Sequence, residues 1–338
     1  MTHVRTALPA LLITSALFAA ASYKLVKSIP IPGEGGWDYL TADSENRRLY
    51  VSHATQVDVV DLDSGKLLDK IPNTNGVHGI AVANDLHRGF VSDGRDNQVT
   101  IFDLKNLSVI ATVKAGTNPD GIVYDPFSQR VFAFNGRSKD VTAIDAATGN
   151  VSGTLPLGGK PEFPVTDSQG NVYANIEDTS EIVHIDPKGL AIKNRWSLAP
   201  CDSPSGLAID AKNQRLFSVC DNKIMAVSDA GSGKVITTVP IGEGPDAAGF
   251  DPETKLVFSS NGHDGTLTIV KQESPDKYSV VQTVKTQRGA RTMAIDLKTH
   301  HVYLADAEFG PAPAATADNP HPRPKIQPGT FKLLVVSE

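Results

Sequence analysis

Short runs of β-branched and aromatic residues, each closed by turn formers, recur along the whole chain. They are clearest in Thr117–Gly158, which holds the runs Gly121–Tyr124, Arg130–Phe134, Val141–Asp145 and Val151–Leu157. Asp125-Pro126, Asn135-Gly136 and Thr148-Gly149-Asn150 separate them. Pro and Gly interrupt strands, and Asn and Asp accept turn backbones, so the unit predicts a four-stranded antiparallel meander. One meander cannot bury both of its faces, so it has to stack on copies of itself.

Those copies are present at a period of about 42 residues. They begin near Gly33, Thr74, Thr117, Gly159, Cys201, Glu243 and Arg288, and their second strands read RRLYVSH, RGFVSD, RVFAFN, NVYANI, RLFSVC, LVFSSN and HVYLAD. The last unit reaches only its third strand, KLLVVS, before Glu338; a matching fourth strand stands at the other end, as Tyr23–Ile29. A ring that completes its last blade from both termini leaves no strand edge open. No helix-period segment lies between the runs, which argues against a parallel α/β sheet. The expectation is an all-β fold: a seven-bladed β-propeller of four-stranded antiparallel blades spanning residues 22–338, with the last blade closed by the N-terminal strand.

Repeats of the form P-x-G-I-A-x-D-x-x-x-x-R-x-Y-V-S-N, followed by V-x-V-I-D-x-x-T-G-K, resemble the YVTN/YncE-like family of exported bacterial seven-bladed β-propellers. The resemblance covers residues 22–338 almost end to end, best in blades two, three, five and six. Blade four (GKPEFPVTDSQGNVYANIED) and blade seven depart most. It implies the fold and export but no single activity, because propellers host many. Related propellers include lactonases and lyases, and a YncE-like member binds single-stranded DNA.

Composition and charge add a location and remove some partners. Met1–Arg5 is basic, Ala7–Ala20 is apolar, and Ala19-Ala20-Ala21 offers small residues for cleavage. Residues 1–21 therefore read as a secretory signal peptide rather than an uncleaved anchor, giving a periplasmic or secreted protein cleaved near Ala21. A net charge of −6 does not suit a protein that coats nucleic acid or an anionic membrane. Export permits a disulfide, and Cys201 and Cys220 are the only pair; free thiols or thiolate ligands are the alternatives.

Candidate chemistry gathers on one face of the predicted ring, called the top. The x of P-x-G sits at the channel mouth and reads, blade by blade, Asp38, His78, Asp120, Glu162, Ser205, Asp246 and Arg291. Like charges brought so close raise one another's proton affinity unless cations offset them. Asp and Ser also cap their own turns, so each residue has a structural reading beside the functional one. A second set closes strand two: His53, Asp93, Asn135, Asn175, Asn261 and Asp306. His53, His78, Asp38 and Asp93 form a candidate divalent-metal set, zinc-like if the imidazoles bind and calcium-like if only oxygens do. No H-E-x-x-H, EF-hand, C-x-x-C-H, G-x-S-x-G or phosphate-loop spacing accompanies it.

Trp37 and Tyr39 should point away from Asp38 and pack between blades if the strand alternates there. Trp196 reads as packing on an outer strand. A Pro-rich insertion at residues 308–329 replaces a top-face turn, with His321 and Arg323 as candidates to face the ring. Function expectations follow in order. The first is a non-catalytic monomer binding a small molecule or protein partner at the channel mouth through Asp38, His78, Asp120, Glu162, Asp246 and Arg291. The second is a metal-dependent lactonase or lyase using His78 or Glu162 as base. Single-stranded DNA binding through Arg95, Arg137, Lys139, Lys160, Arg288 and Arg291 ranks last, because acids lie among these cations.

Overall fold

A computed structural model describes residues 22–314 and 324–338. The leader at residues 1–21, together with His321 and Arg323, lies outside the described residues. Seven four-stranded antiparallel sheets follow one another along the chain. Blade three is typical, with strands Pro119–Asp125, Arg130–Asn135, Asp140–Asp145 and Val151–Pro156. Blade seven takes Met293–Asp296, His301–Asp306 and Lys332–Ser337 from the C-terminal end and Lys24–Pro30 from the N-terminal end. Lys24 pairs with Ser337 and Pro30 with Lys332, so the chain closes its own ring. Helical structure among the described residues is limited to two single 3₁₀ turns.

Burial explains why strands two and three read as continuous apolar runs. Arg130–Asn135 is buried at every position after its first residue, because each blade packs against a neighbour on both faces. The outermost strands have one neighbour fewer and stay exposed, as at Val109 and Ile110. The core is therefore a series of wedges between blades, such as Phe132 and Phe134 of blade three against Val172, Ala174 and Val183 of blade four.

The Asp of the P-x-G-I-A-x-D motif has a local task. Asp125 is fully buried at the end of strand one, and its carboxylate accepts hydrogen bonds from the Ser128 amide (2.9 Å) and hydroxyl (2.6 Å). Asp43, Asp210, Asp251 and Asp296 hold the equivalent turns. At the closure Arg47 of blade one reaches Asp296 of blade seven (2.8 Å) and keeps that carboxyl far below its ordinary pKa, against the opposing effect of burial.

Blade five replaces a polar clasp with a covalent one. In blades three and six Asn135 and Asn261 end strand two and donate to Thr142 (3.0 Å) and Thr268 (2.9 Å) on strand three. Gly116 and Gly242, three residues ahead of Pro119 and Pro245, lie so close that a Cβ would stand 2.6 and 2.7 Å from the respective amide nitrogens. In blade five the corresponding residues are Cys201 and Cys220, joined in a disulfide, and the threonine position is Ala226.

Trp196 packs as expected, directly on Gly233 in the last turn of blade five. A Cβ there would come within 1.9 Å of the indole, and φ is +73°. Gly233→Ala should lower unfolding free energy by about 2 kcal/mol through overpacking and left-handed backbone strain. Urea denaturation measures this, and a change within about 0.5 kcal/mol would show that the indole shifts freely.

Candidate functional site

Strand one of every blade lies innermost, so its first residues crowd the axis. The backbones there are tied from blade to blade. Ser92 donates to the Asp120 carbonyl (2.5 Å), Ser260 to that of Arg291 (2.5 Å), Thr292 to that of Asp38 (2.6 Å), and Ser205 to that of Pro245 (2.9 Å). Asn175 belongs to this set. Strand pairing puts Ile176, not Asn175, opposite Pro161, so Asn175 stands one residue earlier than the sequence repeat suggests. Its amide donates to the carbonyls of Ser205 (3.0 Å) and Gly206 (3.1 Å).

The channel-mouth side chains converge. His78 Nδ1 donates to Asp38 Oδ2 (2.6 Å) and lies 3.6 Å from Asp120 Oδ1. Arg291 bonds Asp38 (3.2 Å), Asp246 and the Trp37 carbonyl (3.0 Å). Lys160 pairs with Glu162 (2.6 Å) and with Glu177. Ser205 turns its hydroxyl to backbone and adds no charge.

Charge competition shifts these groups in different directions. Burial opposes ionisation of Asp38, but Arg291 and the His78 hydrogen bond outweigh it and hold the carboxyl below its ordinary value. His78 is opposed by burial too, yet Asp38 and Asp120 raise it to about 9, so it is an imidazolium at neutral pH. Asp120 is raised to about 6 by burial and by Asp38, despite His78. Glu162 is raised to about 8 by burial and by Asp120, with Lys160 pulling the other way. Burial also raises Asp246, against Arg291.

Of the candidate metal set, Asp38 and His78 meet, but His53 and Asp93 do not join them. Asp38, His78 and Asp120 are the one group of three such side chains, among the described residues, whose ligand atoms lie within 4.8 Å of one another. His53 is instead almost fully buried beneath Phe331 (ring centroids 4.2 Å), with Nδ1 on Asp58 Oδ2 (2.7 Å). Asp93 is buried, accepting from Thr100 (2.6 Å) and Gln98 (3.2 Å). Both end a strand whose last side chain faces the blade interior, as Asn135, Asn261 and Asp306 do. The Asp38–His78–Asp120 trio has mixed donors suited to a transition metal, but Arg291 already sits on Asp38 and opposes a second cation there.

Tyr39 is the site residue the sequence missed. Trp37 packs between blades as expected, on Phe331 (5.4 Å) and on Phe309 (6.0 Å) at the base of the insertion. The first strand of blade one starts only at Leu40, so strict alternation does not govern residues 37–39. Tyr39 reaches Phe163 of blade four, with ring centroids 5.0 Å apart. Blades one and four stand across a seven-membered ring, so this pair spans the axis and floors the charged mouth.

No protein-family model and no curated protein sequence matches the chain. Solved structures do match in shape. A chain of the mitotic checkpoint complex superposes with a TM-score of 0.76 at 14% identity, covering 100% of this chain and 99% of that one. The RRP9 WD40 repeats give 0.75 at 9%, covering 94% and 98%. Kuenenia stuttgartiensis hydrazine synthase gives 0.69 at 15%, covering 81% and 94%. At such identities the likeness is one of fold: a seven-bladed β-propeller. Among the described residues no helix is long and apolar enough to cross a membrane.

Proposed function

We propose that this protein is an exported, YncE-like binding propeller that holds a small molecule or a protein partner at the top-face channel mouth without transforming it. The observation that carries this reading is the convergence of Asp38, His78, Asp120, Asp246 and Arg291 in one network, with Glu162 as the next side chain round the ring. Most core and turn positions repeat similar residues, whereas the channel-mouth position varies in charge and size and faces the axis, as a recognition surface would. The buried disulfide and the leader-like first 21 residues support export. Membership of one matching structure in a mitotic checkpoint complex is consistent with propellers serving as binding platforms.

A lactonase or lyase is the second reading, and the Asp38–His78–Asp120 trio is the observation in its favour. Arg291 counts against it. The DNA reading is weakened because Lys139, Lys160 and Arg291 are each engaged by carboxylates.

Ligand-observed NMR on the full chain with a panel of small amines, carboxylates, sugars and divalent ions tests the binding reading. At least one class should bind, and Asp120→Ala/Glu162→Ala should abolish that binding while leaving thermal unfolding cooperative. Binding that ignores the double variant would sink the reading. Stoichiometric metal in the purified protein, with turnover of a lactone, would install the second.

A further inference from the structure

We propose that the protein has a second binding site, on the face opposite the channel mouth: the cavity between blades four and five takes a guanidinium group. This inference is independent of what the mouth binds.

The sister blades show what belongs there. The first residue of strand two is Arg48, Arg88 and Arg130 in blades one, two and three. Each reaches the turn that follows strand three of the next blade. Arg48 donates to the Leu104 carbonyl, Arg88 to that of Ala146 (3.1 Å), and Arg130 to those of Pro187 (2.8 Å) and Lys188 (3.0 Å). A guanidinium group thus ties blade to blade along this face. In blade four Val172 pairs with Ile185 as Val131 pairs with Ile144 in blade three, so the arginine position is Asn171.

Asparagine is too short to make the same tie, and a cavity of about 90 Å³ lies in its place. Besides Asn171, its lining includes Ala230 and Gly231, the two residues that follow strand three of blade five. These occupy the positions whose carbonyls Arg130 meets in blade four. A single water needs only ~15 Å³, so the space exceeds a solvent-sized packing defect.

The lining suits a planar cation. Asp167 is the one charged side chain among the described residues that line the cavity. The Ala230 carbonyl accepts the Tyr173 hydroxyl (3.1 Å), and a carbonyl oxygen has a second lone pair to offer. His184 steadies the blade-four wall from a position that is Val59, Ile101, Ala143, Val227 and Ile269 in other blades. It stacks on Tyr173 (ring centroids 4.8 Å apart), and its Nε2–H donates to Asn171 Oδ1 (2.7 Å) while Asn194 donates to Nδ1 (3.3 Å). Burial and Lys193 lower His184 to about 4, so the ring is neutral and does not repel a cation. Lys193 itself is engaged by Asn171 Oδ1 (2.9 Å) and the Gly170 carbonyl (3.0 Å) and does not line the cavity. A guanidinium presents a rigid fork of N–H donors to neighbouring carbonyls, which an ammonium lacks.

Calorimetric titration of the full chain with methylguanidinium tests this, beside methylurea as the uncharged isostere and methylammonium as a cation without the fork. Methylguanidinium should bind, and the other two at least tenfold more weakly. Asn171→Arg supplies the group from within the chain and should abolish binding while raising the thermal midpoint. Ala211→Leu, which fills the cavity from the blade-five side, should abolish binding too, so the test does not depend on one variant folding. Agmatine and the tripeptide Gly-Arg-Gly separate the two sources of the group, a free small molecule or a partner's arginine, by which binds more tightly. Absent methylguanidinium binding, equal binding of methylurea, or unchanged affinity in either variant that still unfolds cooperatively would overturn the inference.

Discussion

Asp306→Asn should stabilise the protein above neutral pH and leave it nearly unchanged near pH 4. Asp306 ends strand two of blade seven, is fully buried, and neither carboxylate oxygen has a hydrogen-bond partner among the described residues. The reason is local. In blade two the equivalent Asp93 is bonded by Thr100, but the matching position in blade seven is Leu334. Burial consequently raises Asp306 to about 7. Between about pH 4 and pH 7 the folded chain keeps a proton that the unfolded chain has released, so stability falls as pH rises through that window and levels off above it. Removing the ionisable group should recover about 2–4 kcal/mol at pH 8, with the linkage value of about 1.4 kcal/mol per pKa unit setting the upper end. Urea unfolding of both proteins at pH 4 and pH 8 decides it; a loss at pH 8 would mean that the carboxylate is charged and well paired.

Opening the disulfide is the second large effect. Cys201→Ser/Cys220→Ser frees a loop of about 20 residues and should cost about 3 kcal/mol by the chain-entropy relation. Blades three and six show how to restore part of this. Cys201→Gly/Cys220→Asn/Ala226→Thr rebuilds the glycine–asparagine–threonine clasp of those blades and should recover about 1 kcal/mol, the net value of a typical buried hydrogen bond. Denaturation of the three proteins under non-reducing conditions measures both steps. Equal stability of the serine variant and the parent would show that the bond merely decorates a clasp that packing already holds.

The blades were legible in the sequence because each carries its own punctuation. Asp125, Asn135 and Thr148-Gly149 mark turns by local chemistry, and a local signal survives without knowledge of the partner strand. The channel-mouth positions were legible for the same reason: Pro119, Pro204 and Pro245 mark where strand one begins, and the next residue must face the axis. What failed depended on register or on where a strand starts. Tyr39 was assigned to packing because alternation was extended three residues ahead of Leu40. Asn175 was matched to Asn135 by letter, whereas the 3₁₀ turn Glu177–Thr179 follows a strand ending at Ile176. His53 and Asp93 looked available for a metal, since nothing in one strand shows that its last side chain is claimed by a residue on the next.

The hydroxyl and amide ties at the axis bear on how the channel mouth can change its chemistry. They fasten the carbonyls of Asp38, Asp120, Ser205 and Arg291, so the main chain at those positions is held by neighbouring blades and not by the side chain it displays. A substitution there alters the chemistry presented without moving the support beneath it. The mouth is in effect a set of interchangeable sockets on a fixed frame. Single exchanges at these sockets would be enough to give one scaffold a series of mouths that differ in charge and shape.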